Sequence, residues 1–212
     1  MTRLLLCFGD SNTHGTPPIV VPGRYERFAE DTRWPQVALA ALGPDWRLAE
    51  EGLPGRTTCF ADPVMGSHME GSEGLKIALQ SHGPIDAMTL MLGTNDCKTR
   101  YGASAERIAA GVAGLLDIAL GVEMQTRHGG FKVLLMAPPT ILEQGPIADQ
   151  FFGAVEKSAA LAGALRKLAA ARGIAFLDTG ALIRSSPTDG VHFEPDAHRL
   201  LGAAVARAVT AL

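Results

Sequence analysis

A serine, an aspartate and a histidine with the spacing of an acyl-transfer site stand near the two ends of the chain. Ser11 follows a short apolar run in the segment Gly9-Asp10-Ser11, and Asp189 and His192 lie three residues apart near the other end. This spacing lets the carboxylate accept from one ring nitrogen of the histidine while the other ring nitrogen faces a serine hydroxyl. An imidazole, with an ordinary pKa of about 6.5, is a suitable base for that hydroxyl. The three residues predict nucleophilic catalysis.

A polar amide follows another apolar run, in the segment Gly93-Thr94-Asn95-Asp96. We expect the side-chain amide of Asn95 to point toward the same crevice. Taken singly, each of these segments is also compatible with a polar turn, because Asp, Ser, Asn and Gly are ordinary turn residues. Their occurrence together at the ends of three expected strands favours the nucleophilic site.

The elements that must position these residues are predicted by short apolar runs that alternate with helical patterns, which is typical of a parallel sheet. The predicted strands are residues 4–8, 47–50, 87–92, 131–136 and 174–177. Irregular segments follow them at residues 12–31, 52–71, 93–103, 137–149 and 178–194. These segments leave the carboxyl edge of the sheet, where open α/β folds bind ligands. We predict a three-layer α/β/α sandwich, with a flavodoxin-like five-stranded parallel sheet in the order 2-1-3-4-5.

Helical periodicity is clearest in the second half of the chain. Apolar residues step by three and four over residues 104–124, with Ser104 as an N-cap and Gly129 and Gly130 as the end of the segment. A second helix is predicted over residues 151–168, before Gly173, and a last one starts near Pro195.

Composition and charge limit the classes of function. The 212 residues fit one domain, residues 1–212, and 47% hydrophobic with 19% charged residues excludes disorder. The net charge is -3 with no long basic run, so we expect no nucleic acid partner. The first apolar run lasts five residues, too short for a signal peptide or a membrane span, which predicts a cytoplasmic protein without a membrane partner. Three cysteines without CxxC spacing are expected to be reduced thiols.

Four segments together resemble the sequence blocks of the SGNH or GDSL hydrolases, in the same order and across nearly the whole chain. They are Gly9-Asp10-Ser11, the GLPGRTT segment at residues 52–58, Gly93-Thr94-Asn95-Asp96 and Asp189-Gly190-Val191-His192. GLPGRTT, RWP at residues 33–35 and MLGTND further resemble the bacterial arylesterase, acyltransferase and perhydrolase subgroup.

This resemblance implies a serine esterase with no cofactor and no metal. Ser11 would be the nucleophile, His192 the general base and then acid, and Asp189 the carboxylate that orients it. The oxyanion hole would consist of the Ser11 N–H, the Gly55 N–H and the Asn95 side chain. The implied substrates are small-molecule esters of short acyl groups, acetyl above all, with aryl or alkyl leaving groups, and alcohols or peroxide would also accept the acyl group. The resemblance further implies a homo-oligomer, with an octamer as one form.

Two positions depart from the family pattern, and both bear on the substrate pocket rather than on the catalytic roles. Asn12 stands where the GDSL motif has leucine, and His14 stands where the subgroup usually has tryptophan.

Several alternatives stay open at this point. A carbohydrate acetylesterase would use the same site. A metal-dependent phosphoesterase would use loops like those of Gly9-Asp10 and Gly93-Thr94-Asn95-Asp96, although the sequence lacks the usual DxH opening and a clustered HxH near the end. A catalytically silent binding module would share the fold. His198 with Asp196 is a second acid–imidazole pair, but a spacing of two within a helix separates the side chains, so His192 is favoured.

Overall fold

Five strands form the centre of the molecule in the computed structural model, which describes residues 2–24 and 26–212. They are β1 (Arg3–Gly9), β2 (Trp46–Gly52), β3 (Ala87–Met91), β4 (Lys132–Ala137) and β5 (Ala175–Asp178). All pair in parallel in the order β2-β1-β3-β4-β5. The predicted fold class and strand order are confirmed. Tyr25, within the predicted loop 12–31, and Met1 lie outside the described residues.

Strand β1 shows why the sequence forms a sheet covered on both faces. Successive side chains of a strand point to opposite faces. Leu4, Leu6 and Phe8 join one hydrophobic cluster, and Leu5 and Cys7 join the other. A continuous apolar run is the pattern expected of a parallel strand buried on both sides.

Helices cover both faces of the sheet. Their bounds are α1 (Ser11–His14), α2 (Trp34–Leu42), α3 (Gly71–Ser81), α4 (Ala105–Ala119), α5 (Val122–His128), α6 (Ala154–Arg172) and α7 (Pro195–Thr210). Helices α2 and α7 pack together on the face of Leu5, and α3, α4 and α6 pack on the face of Leu6.

The prediction of one helix over residues 104–124 is wrong, because the chain breaks between α4 and α5. Gly121 is the extended N-cap of α5, and the two helices meet at an angle of 51°. Glycine costs about 1 kcal/mol inside a helix, but the apolar period continues through it and so hides the break. Among the described residues no single helix is long and apolar enough to span a membrane, although α4 and α5 pass that test when joined.

The sequence interpretation did not include helices α2 and α3. Helix α2 has no side-chain cap and relies on Pro35 in its first turn, whereas α3 contains Gly71 and Gly74 and is capped by the Glu70 carboxylate. Helix α6 begins at Ala154, three residues later than the predicted start at residue 151. Their weak helix propensity and the absence of a usual N-cap residue explain why hydrophobic periodicity and capping residues did not predict these features.

The strand order brings three loops to one point. In the β1 register Gly9 lies opposite Gly52 of β2 on one side and Met91 of β3 on the other. The three strands therefore end at the same level, and the segments that begin with Asp10, Leu53 and Leu92 leave the sheet side by side.

Candidate active site

Ser11 is the first residue of α1, the single helical turn that follows β1. The Asp10 carboxylate caps this turn by accepting from the Asn12 N–H at 2.9 Å. A Cβ on Gly9 would lie 2.1 Å from Thr13 Oγ1 and 2.9 Å from the Met91 carbonyl, so only glycine allows this close turn. The Ser11 N–H belongs to the first turn, where a helix supplies no acceptor of its own.

Ser11, His192 and Asp189 form one hydrogen-bonded chain. His192 Nε2 lies 3.0 Å from Ser11 Oγ, and His192 Nδ1 lies 2.6 Å from Asp189 Oδ2. All three side chains are buried. An ionised carboxylate only accepts, so Nδ1 carries the proton of the neutral ring and Nε2 accepts from the Ser11 hydroxyl.

The Asp189 carboxylate is held by four hydrogen bonds. Its Oδ1 accepts from the N–H groups of Val191 and His192, both at 2.9 Å. Its Oδ2 accepts from the His192 ring and from the Ile19 N–H at 2.7 Å. Burial acts to raise the pKa of Asp189, but these hydrogen bonds and the electrostatic attraction of His192 outweigh it and hold the pKa below its ordinary value.

Asn95 and Gly55 reach the same place from the loops after β3 and β2. The Asn95 amide Nδ2 donates to the Arg56 carbonyl at 3.1 Å, which leaves its second N–H for another acceptor. Gly55 has φ of 93°, and a Cβ there would lie 2.6 Å from the end of the Met65 side chain. Glycine meets both demands because it lacks Cβ.

A second link joins the same two loops. Asp96 Oδ1 accepts from the Thr58 N–H at 2.9 Å and from the Thr58 hydroxyl at 2.5 Å. Asp96 is fully buried, and burial raises its pKa to about 6. The sequence places Asp96 in a motif but does not reveal its hydrogen-bond partner. A threonine at position 58 does not by itself predict a contact with Asp96.

Arg56 is a buried cation that ties the loop after β2 to the sheet. Its Nη1 donates to the Gly9 carbonyl at 2.9 Å and also to the Glu51 carbonyl. Its guanidinium lies 4.0 Å from the centre of the Phe8 ring. Burial lowers the pKa of Arg56 to about 10, so the side chain stays charged at neutral pH.

A cavity of about 290 Å³ opens between these loops. Ser11, Gly55, Asn95 and His192 line it, whereas Asp189 lies behind the histidine. Much of the remaining wall is apolar, from Ile19, Met65, Ile147, Phe151 and Val191. The structure thus places every residue of the expected site at or directly behind one cavity.

The two departures from the family pattern do not line this cavity. Asn12 is buried, and its amide donates to the Val191 carbonyl at 3.2 Å. The His14 ring lies 3.2 Å from Thr16 Oγ1. Asn12 therefore connects the serine turn to the loop that carries His192.

His198 lies away from the cavity, within α7. The Trp34 N–H donates to its Nδ1 at 3.3 Å, and its ring packs against Phe28 and Phe193. His198 is fully buried, and burial lowers its pKa to about 4. Within residues 2–24 and 26–212, no three His, Cys, Asp or Glu side chains are grouped so as to hold a metal ion.

Residues 7–200 match the GDSL-like lipase/acylhydrolase family, which is most of the chain. The chain belongs to that family. This GDSL-family hydrolase is a serine ester hydrolase, as the sequence blocks predicted.

Solved structures similar to this GDSL-family hydrolase include two that match over nearly the full length. An aryl esterase from M. smegmatis, in an inhibitor-bound form, is 34% identical with a TM-score of 0.92, and the match covers 99% of each chain. A carbohydrate acetylesterase from Sinorhizobium meliloti is 36% identical with a TM-score of 0.90, again over 99% of each chain. No curated protein sequence matches significantly.

Proposed function

We propose that Ser11, His192 and Asp189 carry out the ester hydrolysis of this enzyme through an acyl-serine intermediate. The observation that carries this proposal is the chain of two hydrogen bonds, 3.0 Å from Ser11 Oγ to His192 Nε2 and 2.6 Å from His192 Nδ1 to Asp189 Oδ2. It supplies a nucleophile, a base and a group that orients the base.

In the first half-reaction His192 acts first as a base and then as an acid. Ser11 Oγ attacks the ester carbonyl carbon while its proton passes to His192 Nε2, and the carbonyl oxygen becomes an oxyanion. Asp189 stabilises the resulting imidazolium. Collapse of the tetrahedral intermediate breaks the bond to the alcohol oxygen, and His192 returns the proton to that oxygen. Water then attacks the acyl-serine in the same way and releases the carboxylic acid.

The oxyanion is stabilised by the N–H groups of Ser11 and Gly55 and by the free N–H of the Asn95 amide. These donors sit on loops that Arg56 and Asp96 hold in place, so little reorganisation is needed when the charge develops. Removal of one such donor typically costs about 2.7 to 4 kcal/mol of transition-state stabilisation.

The proposed substrates are esters of short acyl groups, with acetyl preferred, and aryl or simple alkyl alcohols. The small apolar cavity supports this choice, as does the similar aryl esterase from M. smegmatis. A carbohydrate acetylesterase is the second candidate, and the similar enzyme from Sinorhizobium meliloti favours it. Comparison of aryl acetates with acetylated sugars as substrates separates the two.

Acyl transfer to alcohols or to hydrogen peroxide is part of the proposal. An apolar wall around the acyl-serine disfavours water relative to a less polar acceptor, and Ile147, Phe151 and Val191 supply such a wall. To test transfer, the enzyme is given an ester in water with a short alcohol added. Gas chromatography then measures whether the ester of that added alcohol forms.

We also propose that residues 1–212 form one domain that acts in the cytoplasm as a homo-oligomer, with an octamer as one form. The cysteines are unpaired, which suits a reducing compartment. Val20 and Val64 are exposed on loops that also contribute to the cavity, and such apolar groups favour contact between copies. Light scattering that finds a monomer would contradict the oligomer.

The central experiment is turnover of p-nitrophenyl acetate by the wild type and by Ser11→Ala, with mass spectrometry after reaction with a serine-directed organophosphate. We expect turnover only in the wild type, with one adduct on Ser11. Turnover that survives the substitution, or an adduct elsewhere, would refute the assignment of the nucleophile.

A further inference from the structure

Lys98 is a charged side chain in the wall of the catalytic cavity, beside the oxyanion loop. It joins two single turns of 3-10 helix, Asn95–Cys97 and Thr99–Tyr101. The Lys98 N–H donates to the Asn95 carbonyl at 3.0 Å. Residues three apart in such a turn lie on the same side, so the lysine and the Asn95 amide both reach the cavity.

The Lys98 side chain is mostly buried, and its ammonium has no hydrogen-bond acceptor among the described residues but stays accessible to solvent in the cavity. The residue keeps only 6% of its surface exposed. Its Nζ lies 6.0 Å from the centre of the Phe151 ring. Burial, together with the charge of Arg100, lowers the pKa of Lys98 to about 8, so it is still mostly protonated at neutral pH.

The acidic groups near Lys98 form their hydrogen bonds with other residues, and only Asp96 Oδ2 among them has no partner within the described residues. Asp62 accepts from Arg100 at 3.0 Å and from the Tyr101 hydroxyl at 2.6 Å. Asp96 is bonded to Thr58, and Asp10 caps the serine turn. These carboxylates attract the ammonium through space but do not satisfy its three N–H donors.

An ammonium in a cavity wall, without an acceptor from the protein, is bonded to water there. A substrate that displaces this water must supply an acceptor in its place, or the charged donor is left unpaired. Lys98 faces a cavity rather than packed protein, and a molecule in that cavity can supply the missing acceptor.

This inference rests on the proposed function of Ser11. We propose that Lys98 determines substrate specificity by donating a hydrogen bond to a substrate oxygen that is not part of the reacting ester group. The preferred esters carry a second oxygen, such as an ether or a carboxylate, within reach of the ammonium. That oxygen belongs either to the acyl group or to the alcohol, and both sources offer the same chemistry to Lys98.

Matched pairs of esters test this proposal and separate the two sources. The acyl pair is p-nitrophenyl methoxyacetate and p-nitrophenyl butyrate, which differ by one oxygen in place of a methylene. The alcohol pair is p-carboxyphenyl acetate and p-isopropylphenyl acetate. For each pair the ratio of kcat/KM is measured in the wild type, in Lys98→Met and in Lys98→Arg, so that differences in intrinsic reactivity cancel between enzymes.

We expect Lys98→Met to lower the ratio about 10-fold or more in at least one pair, because a hydrogen bond to a charged group is lost. Lys98→Arg keeps the charge and should retain most of the preference. Lys167→Met, an exposed lysine in α6, is the matched control and should leave both ratios unchanged. If Lys98→Met does not fold, Lys98→Gln removes the charge with a polar side chain and is expected to shift the ratio in the same direction.

Ratios in Lys98→Met that stay within about twofold of the wild type in both pairs would overturn the role of Lys98. So would an equal loss on all four esters, which indicates a general electrostatic effect. Failure of the proposed function looks different, because turnover would then persist in Ser11→Ala whatever the ratios.

Discussion

The backbone N–H of Ile19 donates a 2.7 Å hydrogen bond to Oδ2 of Asp189. The two residues are 170 positions apart, and the same oxygen accepts from the His192 ring. The loop after α1 thus supports the carboxylate that we propose orients the base, and it does so through the main chain, where no side-chain identity reveals it.

Replacement of Ile19 by proline removes this N–H. We expect Ile19→Pro to lower kcat about 10- to 100-fold, because a hydrogen bond to a charged group is worth about 1.5 to 3 kcal/mol. The control is Ile19→Ala, which trims the same side chain but keeps the N–H. Equal kcat values for the two variants would show that the main-chain bond has no catalytic effect.

Substitutions in the proposed catalytic groups should differ in size according to role. Ser11→Ala or His192→Ala should lower kcat about ten thousand- to a million-fold, whereas Asn95→Ala should cost about 100- to 1,000-fold because two oxyanion donors remain. Steady-state kinetics on p-nitrophenyl acetate measures all three, with Ser67→Ala at an exposed serine as the control. Mild and equal losses at the three positions would contradict the mechanism.

Asp96→Asn tests the link between the two oxyanion loops. Asparagine has one acceptor oxygen, and its new NH₂ would replace Asp96 Oδ2, which has no partner among the described residues. We expect kcat to fall about 10-fold with a smaller change in KM, since both hydrogen bonds from Thr58 then end on a neutral oxygen and support the loop that carries Gly55 less strongly. Asp45→Asn, at an exposed position just before β2, should leave kcat unchanged. A wild-type kcat in Asp96→Asn would show that the negative charge of Asp96 is not needed to hold the loop.

The buried His198 predicts a loss of stability in acid. Its pKa is about 4 in the folded protein and about 6.5 when unfolded, so the unfolded chain binds the extra proton between these values. The stabilisation is complete above about pH 6.5 and declines toward pH 4, by up to about 3 kcal/mol from this group.

Urea unfolding at pH 7.5 and pH 4.5 measures this effect. In His198→Gln the difference in free energy of unfolding between the two pH values should be smaller than in the wild type, whereas His68→Gln at an exposed histidine should not change it. A wild-type difference in His198→Gln would mean that other groups cause the acid sensitivity.

The sheet was predictable from sequence because its strands are buried apolar runs with polar residues directly after them. All five strands begin within one residue of their predicted starts. The break at Gly121 was not predictable from hydrophobic periodicity, because apolar residues continue at spacings of three and four on both sides of it. Helix α3 was hidden by its glycines and by a glutamate cap.

The positions of the candidate catalytic side chains followed from strand ends, but their supports did not. Ile19 acts through its main chain, and Arg56 looks in sequence like any loop arginine although it stacks on Phe8 in the core. The place of Lys98 in the cavity wall was not predictable either. A spacing of three residues from Asn95 puts the two side chains on one side only if the turn between them is helical.

The central place of β1 between β2 and β3 has a stereochemical consequence. Ser11 follows β1, and the proposed oxyanion donors Gly55 and Asn95 follow the strands on its two sides. With the carbonyl oxygen held between those loops and the departing alcohol directed to His192, the hydroxyl reaches one prochiral face of the ester only. The two enantiomers of a chiral alcohol then meet different walls of the cavity, so we expect the enzyme to hydrolyse the two esters of a racemate at different rates.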